Sequence, residues 1–301
     1  MKTKILLFAL LFTGVISYAQ QDAQFTQYMY NTINVNPAYA GSRGALSMFA
    51  LYRTQWVGFE GAPVTSTVSM NTPLNESNLG LGVSLINDKI GPTTENTISA
   101  DLSYTIHTSD DWKLSFGIKA TANLFDLDAT KLTNKDPDPS LQNYSKFSPN
   151  IGAGIYLHSD KAYLGLSIPN FIETQRYSDN EVKIFKEKMN YYLIAGCVFD
   201  VNDYVKFKPA LLTKMVEGAP LQVDVSGNFM FYDKFMLGIS YRWSAAMSAM
   251  AGFQVSDGLY IGYGYDRETT NLVNYNSGSH EIFLRYELFK NNDKITTPRF
   301  F

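Results

Sequence analysis

ISADLSYTIH (residues 98–107) and WKLSFGIKATANL (112–124) decide the fold. In the first, Ile98, Ala100, Leu102, Tyr104 and Ile106 alternate with Ser99, Asp101, Ser103, Thr105 and His107. In the second, Trp112, Leu114, Phe116, Ile118, Ala120, Ala122 and Leu124 alternate with Lys113, Ser115, Gly117, Lys119, Thr121 and Asn123. Successive side chains of a strand point to opposite faces, so each run builds one apolar face and one wet face. Runs of this length match a tilted membrane strand of about ten residues, whereas strands of soluble sandwiches are usually nearer five or six. The polar residues 108–111 between them form a tight turn, so the two runs are a hairpin.

Extended outward, the same period predicts strands near 44–56, 63–71, 79–87, 97–107, 112–125, 149–158, 162–169, 189–199, 204–213, 221–231, 235–243, 248–255, 259–265 and 280–289, about fourteen in all. Connections at 108–111, 159–161, 200–203, 232–234 and 256–258 are short and polar, while 126–148, 170–188 and 266–279 are long. Outer-membrane barrels sort their connections in this way, with short turns in the periplasm and long loops outside, and an even strand number returns the chain to its starting side. A soluble sandwich or propeller has no reason to do so, and no repeat of about 40 residues is present. The expected fold is therefore all-β: a transmembrane antiparallel outer-membrane β-barrel over 44–290, preceded by a periplasmic or plug segment at 20–43 and followed by a periplasmic tail at 291–301.

The remaining composition fits. Met1 to Ala19 reads as a cleaved signal peptide: Lys2 and Lys4, an apolar run from Ile5 to Ile16, then Ser17-Tyr18-Ala19. Its loss takes the formal net charge from -3 to -5, a balance that gives no reason to expect nucleic acid. No later run reaches 18 apolar residues, so an exported chain with a membrane home must use strands. A mean hydropathy of -0.14 suits strands that are greasy on one face only, and 20 Tyr with 20 Phe suit strands and membrane interfaces. The single Cys197 reads as a structural thiol within a strand.

One stretch escapes the ladder. QFTQYMYNTINVNPAYAG (24–41) crowds Tyr, Asn, Phe and Pro with neither a period of two nor a helical face. It is too aromatic for a linker and too polar for a lipid-facing strand, and its amides and phenols need partners once buried. With YRTQWVGFEGAPVT (52–65), SHEIFLRYEL (279–288) and the terminal TPRFF (297–301), it resembles the signature of the PorP/SprF family, outer-membrane proteins of the type IX secretion and gliding machinery of Bacteroidetes.

The resemblance implies a non-enzymatic component that supports export or surface anchoring of a large adhesin carrying a C-terminal type IX targeting domain. Partners so implied are outer-membrane lipid, that substrate, and periplasmic type IX or peptidoglycan-linked components. Residues carried by the matching motifs, and so candidates for partner contact or for a plug, are Gln24, Phe25, Gln27, Tyr28, Asn31, Asn36, Pro37, Tyr39, Gly41, Arg53, Gln55, Trp56, Pro63, Thr65, His280, Glu281 and Arg285. From the residues themselves, Arg53 is expected to pair inside the lumen and Trp56 to join an interfacial aromatic belt. The wet faces carry Lys113, Lys119, Lys206, Lys208 and Arg285 against Asp101, Asp224, Glu281 and Glu287, a mixture that favours pairing across the lumen. A solute channel for apolar or peptide-like nutrients is the alternative function, and an outer-membrane hydrolase a third.

For a hydrolase the constellation is missing. His280 and Glu281 are adjacent in a strand and so face opposite ways; no GxSxG, HExxH or P-loop occurs, and no cofactor is implied. Asp126, Asp128, Asp136 and Asp138 lack the glycine and terminal glutamate of a calcium loop, so they read as a solvated loop and no metal is expected.

Overall fold

The computed structural model describes residues 28–74, 77–131, 142–173, 175–179, 182–186 and 188–288, with side chains omitted for 175–179 and 182–186. The signal peptide, Gln24, Phe25, Gln27, Asp136, Asp138 and the 291–301 tail lie outside these residues.

Alternation does build strands: β1 (Leu46–Thr54), β2 (Val64–Pro73), β3 (Leu79–Ile90), β4 (Thr93–His107), β5 (Lys113–Leu127), β6 (Tyr144–His158), β7 (Ala162–Ile168), the pair β8 (Gln175–Asp179) and β9 (Val182–Lys186), then β10 (Asn190–Cys197), β11 (Phe199–Asn202), β12 (Val205–Val216), β13 (Gln222–Phe231), β14 (Phe235–Arg242), β15 (Ala246–Gln254), β16 (Leu259–Glu268) and β17 (Ser279–Leu288). Neighbours in sequence pair antiparallel around the ring, β10 joins β7 to β12, and β1 pairs with both β2 and β17. The ring therefore closes without an edge, the condition for strands to live in lipid. Only Val198 separates β10 from β11, and the register with β12 runs unchanged from Gly196 opposite Ala210 to Phe199 opposite Phe207, so the two form one wall strand and the barrel has fourteen. The hairpin β8–β9 is a separate small sheet.

Accessibility follows the pleat. Along β4, Ser99, Asp101 and Ser103 are buried while Ile98, Leu102 and Tyr104 are exposed. In a soluble protein this would be inside out; in a membrane barrel the exposed apolar face meets lipid and the wet face points into the lumen. No described helix is long and apolar enough to cross a membrane.

Several strands, β3 to β6, β12, β15 and β16 among them, run past the predicted bounds on the long-loop side, whereas β1 and β2 stop just short of theirs. β3 and β4 meet at a connection of only Gly91 and Pro92, and β5 pairs with β6 out to Leu127 and Tyr144. Above the bilayer a strand needs no greasy face, so the period-two signal fades at Asn87–Lys89 and Thr93–Thr97 although the ladder of hydrogen bonds continues. As a result the connections 91–92, 217–221 and 243–245 are short, and the long ones are 55–63, 128–143, 169–189 and 269–278. The sorting still orients the barrel. In a Cys197→Ser background, a cysteine introduced at Glu217 is expected to react with an impermeant maleimide on intact cells and one at Asp160 to stay unlabelled; the opposite pattern would invert the orientation.

Candidate functional site

Residues 28–41 lie inside the ring. They form a 3-10 turn at Tyr28–Tyr30, a single helical turn α1 (Thr32–Val35) and a second 3-10 turn at Pro37–Tyr39, which is why no period was legible. Tyr28, Met29, Tyr30, Ile33, Asn36, Ala38 and Tyr39 are all buried.

Irregular backbone at membrane depth is tolerated only where its polar groups find partners. Here wall side chains supply them: Lys119 Nζ donates to the Ile33 carbonyl (3.1 Å), Ser167 to Val35 (2.8 Å) and Ser103 to Ala40 (2.7 Å). Ser69 donates to Asn31 Oδ1 (2.8 Å), and Asn34 donates to Thr67 (3.2 Å). Asn36 accepts from the Ala38 amide (3.0 Å), fixing the second 3-10 turn, and its Nδ2 donates to the Ile155 carbonyl of β6 (3.0 Å). Gly41 leaves the segment at φ +72°, a left-handed conformation that suits glycine, with its amide on Asn71 Oδ1 (3.3 Å).

Two aromatic clusters hold the segment at opposite walls. Tyr30 stacks with Tyr260 (5.4 Å between centroids) and lies tilted against Phe283 (4.7 Å), its hydroxyl 3.1 Å from that of Tyr260. The Arg285 guanidinium lies 5.7 Å from the Tyr30 ring and 5.2 Å from Tyr260, and Lys208 Nζ lies 5.4 Å from Tyr30. Buried cations over ring faces are well placed, because a desolvated cation gains more from the ring quadrupole than an exposed one. Tyr39 meets Tyr156 edge-on (5.6 Å), and Tyr156 meets Tyr163 (5.8 Å). Between the clusters the segment comes so close to the β3–β6 wall that the inward residues at the points of contact include Gly80, Gly82, Gly117 and Gly154. A Cβ on Gly117 would overlap the Ala38 amide, and one on Gly154 would overlap Asn36 Oδ1.

Charge pairing differs from the expectation of contacts across the lumen. Lys119 meets Asp101 (3.2 Å), Arg53 meets Glu281 (3.1 Å) and Asp266 (2.6 Å), and Arg242 meets Asp224 (2.9 Å). Asp101 and Lys119, Arg53 and Glu281, and Asp224 and Arg242 are directly opposed in adjacent strands. Opposed antiparallel residues sit about 5 Å apart, whereas the far wall lies beyond the N-terminal segment, so nearest neighbours win. Lys206 instead pairs with Asp233 at an exposed turn (2.5 Å), and Arg43, just beyond the segment, pairs with Glu287.

The other motif residues separate. Thr65 is buried and donates to Asp88 (2.6 Å), while Pro63 accepts from the Gln55 amide (2.9 Å) at the outer rim. Trp56 stands at that rim at φ +45°, half-buried, with its indole N–H on Glu268 (2.9 Å), so a specific hydrogen bond positions it in addition to any interfacial preference. Replacing Trp56 with Phe is expected to cost about 1 kcal/mol of unfolding free energy, the worth of one charge-assisted bond at a partly exposed site, measurable by urea unfolding in detergent. His280 points outward to the Tyr263 hydroxyl (2.6 Å) and Glu281 inward to Arg53, as alternation required.

Asp128 accepts from Thr130 (2.5 Å) and faces Lys131 (3.0 Å), and this hydroxyl and ammonium hold its carboxyl below the ordinary aspartate range. Such local capping occupies it within its own turn. Among the described residues no three His, Cys, Asp or Glu side chains are grouped to hold a metal.

A family model described as type IX secretion system membrane protein PorP/SprF matches residues 17–286. The chain belongs to the PorP/SprF family. That family is one of secretion-system membrane proteins and not of enzymes, and with the closed lipid-facing ring it places this PorP/SprF chain in the outer membrane. No curated protein matches it in sequence. Among solved structures it is similar to Omp33 of Acinetobacter baumannii (7% identity, TM-score 0.48, covering 81% of this chain and 99% of that one) and to a Pseudomonas aeruginosa FadL homologue (13%, TM-score 0.46, 92% and 96%). A mutant of the monoaromatic hydrocarbon channel TodX is a third (9%, TM-score 0.47, 85% and 93%).

Sequence reasoning missed Gly117, Gly154, Asp266 and Arg43 as members of the lumen site. The glycines carried a signal: a side-chain-free position on the wet face of a regular strand marks a close backbone approach. Asp266 and Arg43 carried none, since each lay at or beyond the assumed end of a strand.

Proposed function

We propose that this PorP/SprF barrel is an outer-membrane holder for one large secreted adhesin, gripping the adhesin's C-terminal targeting domain at its outer rim while residues 28–41 close the lumen beneath. The seating of 28–41 carries the reading. A conduit needs a continuous lumen, and in this barrel wall side chains, two aromatic clusters and close-set glycines are all committed to keeping a piece of the chain there. Fourteen strands already lie between a filled eight-stranded barrel and the 16 to 18 strands of an aqueous porin, so the segment takes up the space that would otherwise be a narrow channel. The long outer connections 128–143 and 169–189 supply the gripping surface.

Two measurements test the reading. In planar bilayers the wild-type barrel is expected to be electrically quiet and a variant lacking 28–41 to conduct; a steadily conducting wild type would favour the solute channel. Deleting the gene should remove one large protein from the cell surface while other secreted proteins and nutrient uptake persist, and unchanged secretion would overturn the assignment.

A further inference from the structure

The lipid-facing wall of β4–β7 is not convex. It carries a groove of about 570 Å³, within the range of small-molecule sites, lined by outward apolar side chains that include Leu102, Tyr104, Phe116, Ile118 and Phe171. Ala153 lies at its floor, opposite Ile118 in the β5–β6 ladder and Ile168 in the β6–β7 ladder, with the Gly117 and Gly154 backbone beside it. The concavity has a structural origin. On their inner faces Gly117 and Gly154 lie directly on the backbone and amide of residues 36–38, so the wall is drawn toward the segment where no side chain intervenes, and its outer face is hollowed there.

We propose that this groove holds one acyl chain of a phospholipid from the periplasmic leaflet. Its position selects the occupant. Tyr104 and Phe116 lie three residues from the short turn that joins β4 to β5, about 8 Å from the periplasmic rim for a rise of about 3.4 Å per residue and a tilt near 40°. The deepest strand residue of the lining, Ile168, lies six residues beyond the turn that joins β6 to β7, about 16 Å from the same rim, so the groove stays within about half of a hydrocarbon core about 30 Å thick. At that depth the solvent is lipid tail. Phe171 closes the far end, its amide held by the Ile151 carbonyl (2.8 Å). A chain lying between these rings exchanges contact with mobile lipid for contact with fixed side chains on three sides, which sets it apart from lipid on the convex remainder of the wall.

The test reconstitutes wild-type protein in bilayers of phosphatidylethanolamine that carries a diazirine on one acyl chain, exchanges it into detergent and then irradiates it, so that only retained lipid can label. Adducts are expected at Leu102, Phe116 and Ile118 in roughly tenfold excess over Leu237 and Ile239 of β14, the excess that a tenfold longer occupancy gives. Ala153→Phe, which fills the floor, should reduce the excess to the β14 level, and Ala249→Phe, on the outward face of β15, should leave it intact. Even labelling around the wild-type barrel would overturn the proposal whether or not the Ala153 variant folds. Capture of a neighbouring polypeptide in cells by a photoreactive residue at 116, with no lipid adduct there, would overturn it in favour of a protein partner.

Discussion

Valine at Gly117 is expected to unseat residues 28–41 and turn a quiet barrel into a conducting one. The added branched side chain must occupy space held by the Ala38 amide and the Pro37 carbonyl carbon, both backbone atoms that cannot swing aside. Forcing extra methyl groups into a well-packed site costs about 1–3 kcal/mol, equivalent to a shift of about 5- to 150-fold in the ratio of seated to unseated segment. The same penalty does not fall on the ring, whose β4–β5 and β5–β6 ladders pair through residue 117 by backbone alone. The expected result is therefore selective: open events in planar bilayers rise by that factor, and periplasmic protease gains access near Tyr28, while the folded band on an unboiled gel persists. Gly154→Val, which meets the Asn36 side chain instead, should act in the same direction. Unchanged conductance together with unchanged protease access in both variants would show that the segment tolerates displacement and does not gate the lumen.

Arg53→Met is expected to bring the largest loss of stability, about 3–5 kcal/mol, because it removes one partner of a buried ion cluster and leaves carboxylates in a site built for a cation. Arg53 is almost fully buried, with Asp266 at 2.6 Å and Glu281 at 3.1 Å, and it ties β1 to β17, the seam where the first and last strands close the ring. Urea titration of the barrel in detergent micelles would measure the loss. The triple variant Arg53→Met, Asp266→Leu, Glu281→Met should recover most of it, since replacing a whole buried cluster by apolar groups of similar volume is often close to neutral. If the single variant were as stable as wild type, the cluster would contribute no more than exposed ion pairs do.

How much of this was legible depended on which force set each element. β4 and β5 were readable almost residue by residue, because lipid on one face and water on the other impose an unbroken period of two. Their outer ends were not, because above the membrane nothing penalises a polar residue on either face, and only the pairing of Thr93 with Leu127 or Tyr144 with Leu127 defines where the strands stop. The motif stretch Tyr28–Gly41 was recognisable as something that needed partners but not as three short turns, since isolated turns have no period to detect. Opposite faces for His280 and Glu281 were fixed by alternation, and the structure agrees.

Alternating hydropathy along the chain determined, by itself, that this protein is a membrane-spanning ring of fourteen strands and which residues face lipid, because both facts are local: a strand needs only its own pleat and its solvent on each side. What occupies the lumen was decided only in three dimensions. Asn36, Lys119, Ser103 and Ser167 meet because strands far apart in sequence surround one short segment, and the glycines of β5 and β6 become informative only once the backbone they admit is in place. Such contacts are long-range, and no local period encodes them.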